Sequence, residues 1–483
     1  MIHLRAVLVS VVVLAAATGC GADEPASERP AHKRPSAGKP AGHPDPGDFN
    51  GDGYDDYVDY VQAKSPGEKE YTGTLIVVYG SKQGLNPAWN SRTRAPRGHE
   101  GLLSVPLRAD LDGDGFTDLL GSRGDDAADA RAFAMFGGPR GLGAARVLDL
   151  PRGFRPLAAA DFDGDGSVDL LDGGRGGTGD TGSREPGTDG SLQYGPFDRA
   201  GTPRRQAVLD LDQHGYAAPR TATTGDFDGD GRAEAVLTYS YDAEQDDSAP
   251  AGLHDIAYYE GGERGLVRDT RQEERISRAV STFDGPRTPG TGDADGDGTD
   301  DLLLPTQLPV APADMPRTGG ALTILYGAGS GLGTGRPETV IGDRTGDRRP
   351  VGFGAEPAVG DVDGDRRPDV VVLTPAPRGH DGEVTLLPGG ARGVPSATGE
   401  RSVGSGTDGL PGTPNPHGWN AFGHRPPLLD VDGDGHADAV VFGPRYEKGR
   451  GAFLVLHGSD AGFDPERARM FTPGDLGLRV RPL

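Results

Sequence analysis

Apolar residues along this chain come in short runs set between polar stretches rich in glycine and aspartate. Leu302-Leu303-Leu304, Val370-Val371-Val372-Leu373 and Ala439-Val440-Val441-Phe442 are three or four residues long. Leu75-Ile76-Val77-Val78-Tyr79 and Leu322-Thr323-Ile324-Leu325-Tyr326 span five. Runs this short, bounded by turn residues, predict buried β-strands rather than helices. The C-terminal Leu476-Gly477-Leu478-Arg479-Val480-Arg481 alternates apolar and other residues as a strand does. One run is longer. Ala6 to Ala17 covers twelve residues behind His3 and Arg5. At helical rise it reaches about 18 Å, short of a ~30 Å hydrocarbon core, and predicts an export signal over residues 1–19. From Gly21 to Gly47 the chain is rich in Pro, Ala, Gly and Lys without apolar periodicity, so residues 20–47 are expected to form a flexible tether.

Between the apolar runs one nine-residue pattern, Asp-x-Asp-Gly-Asp-Gly-x-x-Asp, occurs seven times, starting at Asp48, Asp110, Asp161, Asp226, Asp293, Asp361 and Asp430. The intervals are 62, 51, 65, 67, 68 and 69 residues. Asn50, Glu234 and Arg366 are substitutions within it, and Asp210-Leu211-Asp212-Gln213-His214 is a fragment lacking the remaining acids. A second landmark follows each loop start by 27 to 35 residues: an apolar strand ending in Gly, three variable residues, Gly, then an apolar residue. Gly80/Gly84 and Gly327/Gly331 are examples; in the third unit Gly195 is followed by Arg199 and Ala200 instead. Each unit of about 60 residues therefore holds a strand before the loop, one after it, the glycine-ended strand and a variable return. That is one propeller blade, and seven placed radially can bury faces that no single unit can.

The loop spacing specifies a chemistry. Oxygen ligands at positions 1, 3, 5 and 9, with the main-chain carbonyl of position 7, can wrap a hard cation, and glycines at 4 and 6 allow the turns. The candidate sets are Asp48, Asn50, Asp52, Tyr54 and Asp56; Asp110, Asp112, Asp114, Phe116 and Asp118; and Asp161, Asp163, Asp165, Ser167 and Asp169. They continue with Asp226, Asp228, Asp230, Arg232 and Glu234; Asp293, Asp295, Asp297, Thr299 and Asp301; Asp361, Asp363, Asp365, Arg367 and Asp369; and Asp430, Asp432, Asp434, His436 and Asp438. Ca²⁺, with six to eight flexible oxygen ligands, suits such a set better than Mg²⁺. An EF-hand is excluded, since it needs Glu at position 12 and flanking helices. Position 12 here is Asp59, Gly121, Asp172, Leu237, Leu304, Val372 and Val441.

The repeat resembles the FG-GAP repeats of the integrin α-subunit head and of bacterial VCBS-type proteins over residues 48–483. Phe353-Gly354, Phe422-Gly423 and the fragment Gly443-Pro444 carry what remains of the flanking motif. The resemblance implies an all-β, seven-bladed β-propeller with up to seven Ca²⁺ in blade loops. It also implies that the metal rigidifies the fold rather than touching a ligand. Ala17-Thr18-Gly19-Cys20 resembles the lipobox of bacterial lipoproteins, in which the cysteine thiol receives a diacylglycerol and becomes the mature N-terminus. Ordinary secretion, with Cys20 discarded, is the alternative.

Composition narrows the function. Glycine (81) and proline (41) fill a quarter of 483 residues, while apolar residues are 34% and aromatics 6%, so a large helical core is not expected. The net charge of −24 argues against nucleic acid. Seven Ca²⁺ would bring it to −10, so much of the acidity is metal-site charge. A single cysteine excludes a disulfide framework, a thiolate zinc cluster and a CxxC pair. No Gly-x-Ser-x-Gly elbow and no Walker loop occurs, eleven histidines lack metal spacing, and Gly174 to Gly179 has no helix pattern behind it. Tyr239, Tyr241, Tyr258 and Tyr259 are expected to pack on strand faces. An insertion from Ser402 to Arg425 carries Asn415, His417, Trp419, Asn420 and His424, either a sugar-stacking rim loop or a decorated surface loop. The expectation is a lipid-anchored or secreted, extracytoplasmic binding or adhesion module for an unknown protein or glycan. It is not expected to be an enzyme. A polysaccharide lyase-like enzyme and a lectin are the competing readings.

Overall fold

A computed structural model describes residues 47–94, 106–124, 130–173, 190–209, 211, 217–241, 256–279, 288–306, 318–342, 349–350, 352–375, 381–390, 393, 399–416 and 428–481. Residues 1–46, and with them the export signal, Cys20 and nearly all of the tether, lie outside the described residues. So do Gly174 to Gly179, His417, Trp419, Asn420, Phe422, Gly423 and His424.

The first unit holds β1 (Tyr57–Lys64), β2 (Thr72–Val78) and β3 (Asn90–Arg94). The second holds β4 (Leu107–Ala109), β5 (Asp118–Arg123), β6 (Arg131–Met135) and β7 (Arg146–Val147). In the third are β8 (Pro156–Ala160), β9 (Asp169–Asp172), β10 (Gly190–Tyr194) and β11 (Arg205–Leu209). The fourth has β12 (Ala217–Gly225), β13 (Glu234–Tyr241), β14 (Ile256–Glu260), β15 (Val267–Arg268) and a helix, α1 (Thr270–Ala279). The fifth comprises β16 (Gly290–Gly292), β17 (Asp301–Thr306), β18 (Thr318–Leu325), β19 (Thr339–Gly342) and β20 (Arg349–Pro350). The sixth has β21 (Ala355–Gly360), β22 (Asp369–Thr374), β23 (Glu383–Leu387) and β24 (Arg401–Gly404). The seventh has β25 (Leu428–Leu429), β26 (Asp438–Gly443), β27 (Ala452–His457) and β28 (Asp464–Phe471), and β29 (Arg479–Val480) follows it.

Each unit folds as an antiparallel sheet with its strands in chain order, and β20 adds a short fifth strand beside β18. The strands that precede the loops, β4, β8, β12, β16, β21 and β25, lie against one another in succession. The result is a seven-bladed β-propeller. Each blade is covered on both faces, and this explains why its central strands read as unbroken apolar runs. Successive side chains point to opposite faces. Leu302 and Leu304 accordingly pack toward blade four, while Leu303 packs toward blade six. Val371 and Leu373 face blade seven, and Val370 and Val372 face blade five. Among the described residues the core is thus divided into seven apolar clusters, one at each junction between blades.

Blade one is built from both ends of the described chain. Val480 pairs opposite Ala63 and Arg479 opposite Lys64, and the Arg481 amide donates to the Gln62 carbonyl at 2.9 Å. At the other end of the same strand edge, the Asp56 amide donates to the Gly47 carbonyl at 2.9 Å. Of the C-terminal segment only β29 pairs as strand; Leu476 and Leu478 are buried in the cluster between blades seven and one.

Two details depart from the sequence pattern. Ser402 to Gly404 belong to β24, so the insertion begins only after them. The helix α1 occupies the junction of blades four and five, placing Ile276 in the apolar cluster there. Its Arg275 Nη1 donates to the Leu332 carbonyl of blade five at 2.9 Å. Glu273 is fully buried, yet Arg268 donates to both its oxygens at 2.6 and 3.0 Å and the Tyr258 amide adds a third bond. A charge buried this way is tolerable because it is paired and hydrogen-bonded.

Candidate metal centre

Each nine-residue loop is a turn folded around its own first aspartate. In loop five, Asp293 Oδ1 accepts from the amides of Gly296 and Asp297 at 2.6 and 3.0 Å, and Oδ2 accepts from Gly298 at 2.8 Å. Asp110, Asp161, Asp226 and Asp430 do the same work in their loops. The position-5 carboxylate caps the amide of position 7, as Asp297 does for Thr299 at 2.9 Å. Positions 4 and 6 take φ near +70° to +90°, the region open to glycine at no steric cost. In loop six, Arg366 occupies position 6 with φ +67°.

The ninth residue, an acid in every loop, is a staple. Asp301 Oδ2 accepts from the Ala294 amide at 2.8 Å and Oδ1 from Gly327 at 2.8 Å. Asp56, Asp118, Asp169, Asp369 and Asp438 repeat both bonds, always to position 2 of the loop and to the glycine that ends the third strand. Those glycines are required by the loop of their own blade and by the neighbouring blade. A Cβ on Gly327 would lie 2.3 Å from the Asp300 carbonyl and 2.9 Å from that of Phe227. The position-2 carbonyl then accepts from the residue after the glycine in the next blade, as Phe227 does from Ala328 at 3.0 Å and Val431 does from Ser81 at 3.2 Å. That last bond joins blade seven to blade one, together with Asp55 N to Asp430 O at 3.0 Å and Asp430 N to Asp55 Oδ2 at 2.8 Å.

The loops also touch one another directly. At five of the seven joints the position-7 side chain leans over the position-4 glycine of the preceding loop; Gly296 meets Pro368, at position 8, instead, and Gly113 has nothing within 4 Å. A Cβ on Gly51 would meet Phe116 at 2.8 Å, and one on Gly433 would meet Tyr54 at 2.8 Å; His436 covers Gly364 in the same way. The metal-loop pattern is therefore also a jointing pattern.

Three observations test whether the loops fit a cation. Oxygens of Asp110, Asp112 and Asp118 lie within 4.8 Å of one another, as do those of Asp161, Asp163 and Asp169, of Asp226, Asp228 and Asp230, and of Asp293, Asp295 and Asp297. Buried Oδ1 atoms of Asp112, Asp163, Asp361 and Asp432 have no hydrogen-bond partner. Burial, with the neighbouring carboxylates adding to it, pushes Asp118, Asp169 and Asp301 up to about 7, Asp369 and Asp52 to about 6 and Glu234 to about 8; Asp56 is raised well above the usual range. Crowded, buried, under-bonded carboxylates are what a divalent ion neutralises. Positions 1, 3, 5 and 9 would hold it, and Ca²⁺ fits the all-oxygen loops.

Arginines sit on most loops, and among them Arg199, Arg204, Arg205 and Arg336 are ones that the sequence pattern did not include in the site. Arg199 pairs with Asp112 and Asp114 at 2.6 and 2.5 Å. It stands where other units carry the second glycine of the landmark, so that departure was the available signal. Arg204 and Arg205 reach Asp163 at 3.2 and 3.0 Å, Arg336 reaches Asp295 at 2.8 Å, and Arg232 and Arg367 pair with Asp230 and Asp365 of their own loops. The three tyrosines Tyr239, Tyr258 and Tyr259 are buried strand-face residues; the side chain of Tyr241 lies outside the described residues.

Residues 353–387 match the FG-GAP repeat. The match begins at Phe353-Gly354 and spans loop six with β22 and β23. No curated protein matches the chain. Among solved structures, the exotype rhamnogalacturonan lyase YesX is similar at 12% identity and a TM-score of 0.30, over 82% of this chain and 81% of that one. Bacillus licheniformis rhamnogalacturonan lyase PL11 is similar at 12% identity and a TM-score of 0.31, over 83% and 85%.

Proposed function

We propose that this chain is a Ca²⁺-stabilised propeller, carried outside the cytoplasm on a lipidated Cys20, that serves as a binding or adhesion module. One observation supports the reading above others: the carboxylate loops sit at the joints between blades, where an ion stiffens the frame that displays the variable loops. The frame does the holding, and the recognition falls to segments between strands. The partner is an extracellular protein or a glycan.

The test is a glycan and surface-protein array probed with the purified full chain, with Ca²⁺ and with chelator. Selective retention that is lost on chelation and regained with Ca²⁺ supports the reading. Conversion of a polysaccharide to unsaturated products by the same preparation would replace binding with catalysis.

A further inference from the structure

Loop seven differs from the others in a way that the nine-residue pattern does not show. The residue just before the strand-ending glycine is Tyr79, Phe136, Tyr194, Glu260, Tyr326 and Pro388 in blades one to six, and His457 in blade seven. His457 closes β27, is 5% exposed, and turns its ring toward the loop. Its Nδ1 lies 3.3 Å from Asp438 Oδ1 and 3.6 Å from Asp432 Oδ2. Nδ1 makes no hydrogen bond, nor does the buried Oδ1 of Asp432. On its other side the ring edge is held by blade one, where a Cβ on Gly84 would lie 3.2 Å from Cε1. A buried imidazole nitrogen, fixed in place and aimed between two carboxylates without bonding to either, has the arrangement of a ligand.

Asp432, Asp438 and His457 bring one donor atom each within 4.8 Å of one another. Ligand atoms about 2.1 Å from a common ion at tetrahedral angles lie roughly 3.4 Å apart, which matches the separations above. Ca²⁺ takes oxygen ligands, whereas imidazole nitrogen suits Zn²⁺ and its first-row neighbours. Two carboxylates and one neutral imidazole balance a divalent charge. The nearest cation, Arg467, is half-exposed, with Nη2 3.4 Å from Asp434 and 3.7 Å from Asp432, so an entering ion displaces only a surface side chain.

We propose that loop seven is a mixed nitrogen–oxygen site for a borderline divalent transition ion, Zn²⁺ being the type, held by Asp432, Asp438 and His457. The imidazole binds through Nδ1, in the tautomer that carries its proton on Nε2. The proposal rests on the reading of the loops as cation sites, and the experiment separates the two.

The full chain, stripped with chelator and returned to excess Ca²⁺, is titrated with Zn²⁺ by calorimetry and with Co²⁺ by absorption spectroscopy. One equivalent is expected to bind despite the Ca²⁺, with a Co²⁺ spectrum showing nitrogen ligation. His457→Gln weakens this site by roughly tenfold or more, at least the loss seen when only an outer partner of a ligand is removed. His457→Tyr, the residue found at this place in blades one, three and five, has the same effect in a side chain that the fold already accepts. Asp295→Asn in loop five leaves it unchanged. Equal Zn²⁺ and Co²⁺ binding by the wild type and both His457 variants would overturn the proposal, as would displacement by excess Ca²⁺. A His457-dependent site in a protein that takes up no Ca²⁺ at all would sustain it while removing the calcium reading.

Discussion

Removal of Asp475 to Leu483 tests how the ring is closed. The deletion strips two leucines, Leu476 and Leu478, each 2% exposed, from the cluster between blades seven and one. At about 1.5–3 kcal/mol for each fully buried leucine, their loss amounts to about 3–6 kcal/mol. The pairing of β29 with Ala63 and Lys64 and the bond from Arg481 to Gln62 go with them, at about 0.5–1.5 kcal/mol for each hydrogen bond. Melting entropy of about 2.1 cal/mol/K per residue gives roughly 0.9 kcal/mol/K for a domain of this length, so the leucines alone should lower Tm by about 3–7 °C and the lost hydrogen bonds add to that fall. The deletion also bares an edge of β1, and bared edges pair with other chains. Thermal melts and size-exclusion chromatography of the full and shortened proteins, both in Ca²⁺, read the two effects. Leu478→Ala alone should destabilise by about 2–5 kcal/mol without exposing the edge, and so should remain monomeric. A shortened protein that stays monomeric and melts with the full chain would refute the reasoning, because a frayed terminus is removed without cost.

In chelator, stability should fall as pH rises from about 4 to about 8. The folded state holds protons on Asp118, Asp169, Asp301 and Glu234 up to about 7 or 8, and the unfolded chain releases them near 4. Saturating Ca²⁺ keeps those carboxylates ionised and should abolish the slope, so identical melting profiles with and without the ion across this range would count against metal in the loops. Arg366→Gly relieves a left-handed backbone position and should stabilise by up to about 1 kcal/mol, read as a higher urea midpoint at unchanged slope. Cys20→Ser should move the protein from the detergent phase to the aqueous phase on partitioning; equal retention of the two forms would remove the lipid anchor.

Much of the blade plan was legible because it depends on short-range chemistry. Leu302-Leu303-Leu304 cannot be a half-solvated strand, and a triplet buried on both faces is what a stacked sheet requires. Glycines at the end of the third strand were legible as landmarks, but their reason was not, because the colliding carbonyls, for Gly327 that of Asp300 in its own blade and that of Phe227 in the preceding one, come together only in the folded ring. The same limit hid Arg199, whose carboxylate partners lie more than 80 residues away. It also hid His457, which stands outside the nine-residue pattern. The ninth acid was read as a ligand from spacing alone; its two amide bonds make it a structural brace whether or not an ion is present. Helix α1 gave little sign of itself, since its apolar contribution to the core is Ile276 with Ala279 among charged residues.

The leaning of position-7 side chains onto the glycine of the loop before, at five of the seven joints, gives the ring a direction, and a directed circle has no first or last member. In a linear stack of repeats the end units lack a neighbour and melt first. Here Tyr54 covers Gly433 as Phe116 covers Gly51, so the oldest and newest parts of the chain bear on each other as any adjacent pair does. Damage at a position-4 glycine that such a side chain covers should accordingly reach one blade onward as well. A methyl group at Gly364 would strain loop six itself, where φ is +71°, and would also lie 2.4 Å from the His436 ring, so loop seven would lose its geometry along with loop six.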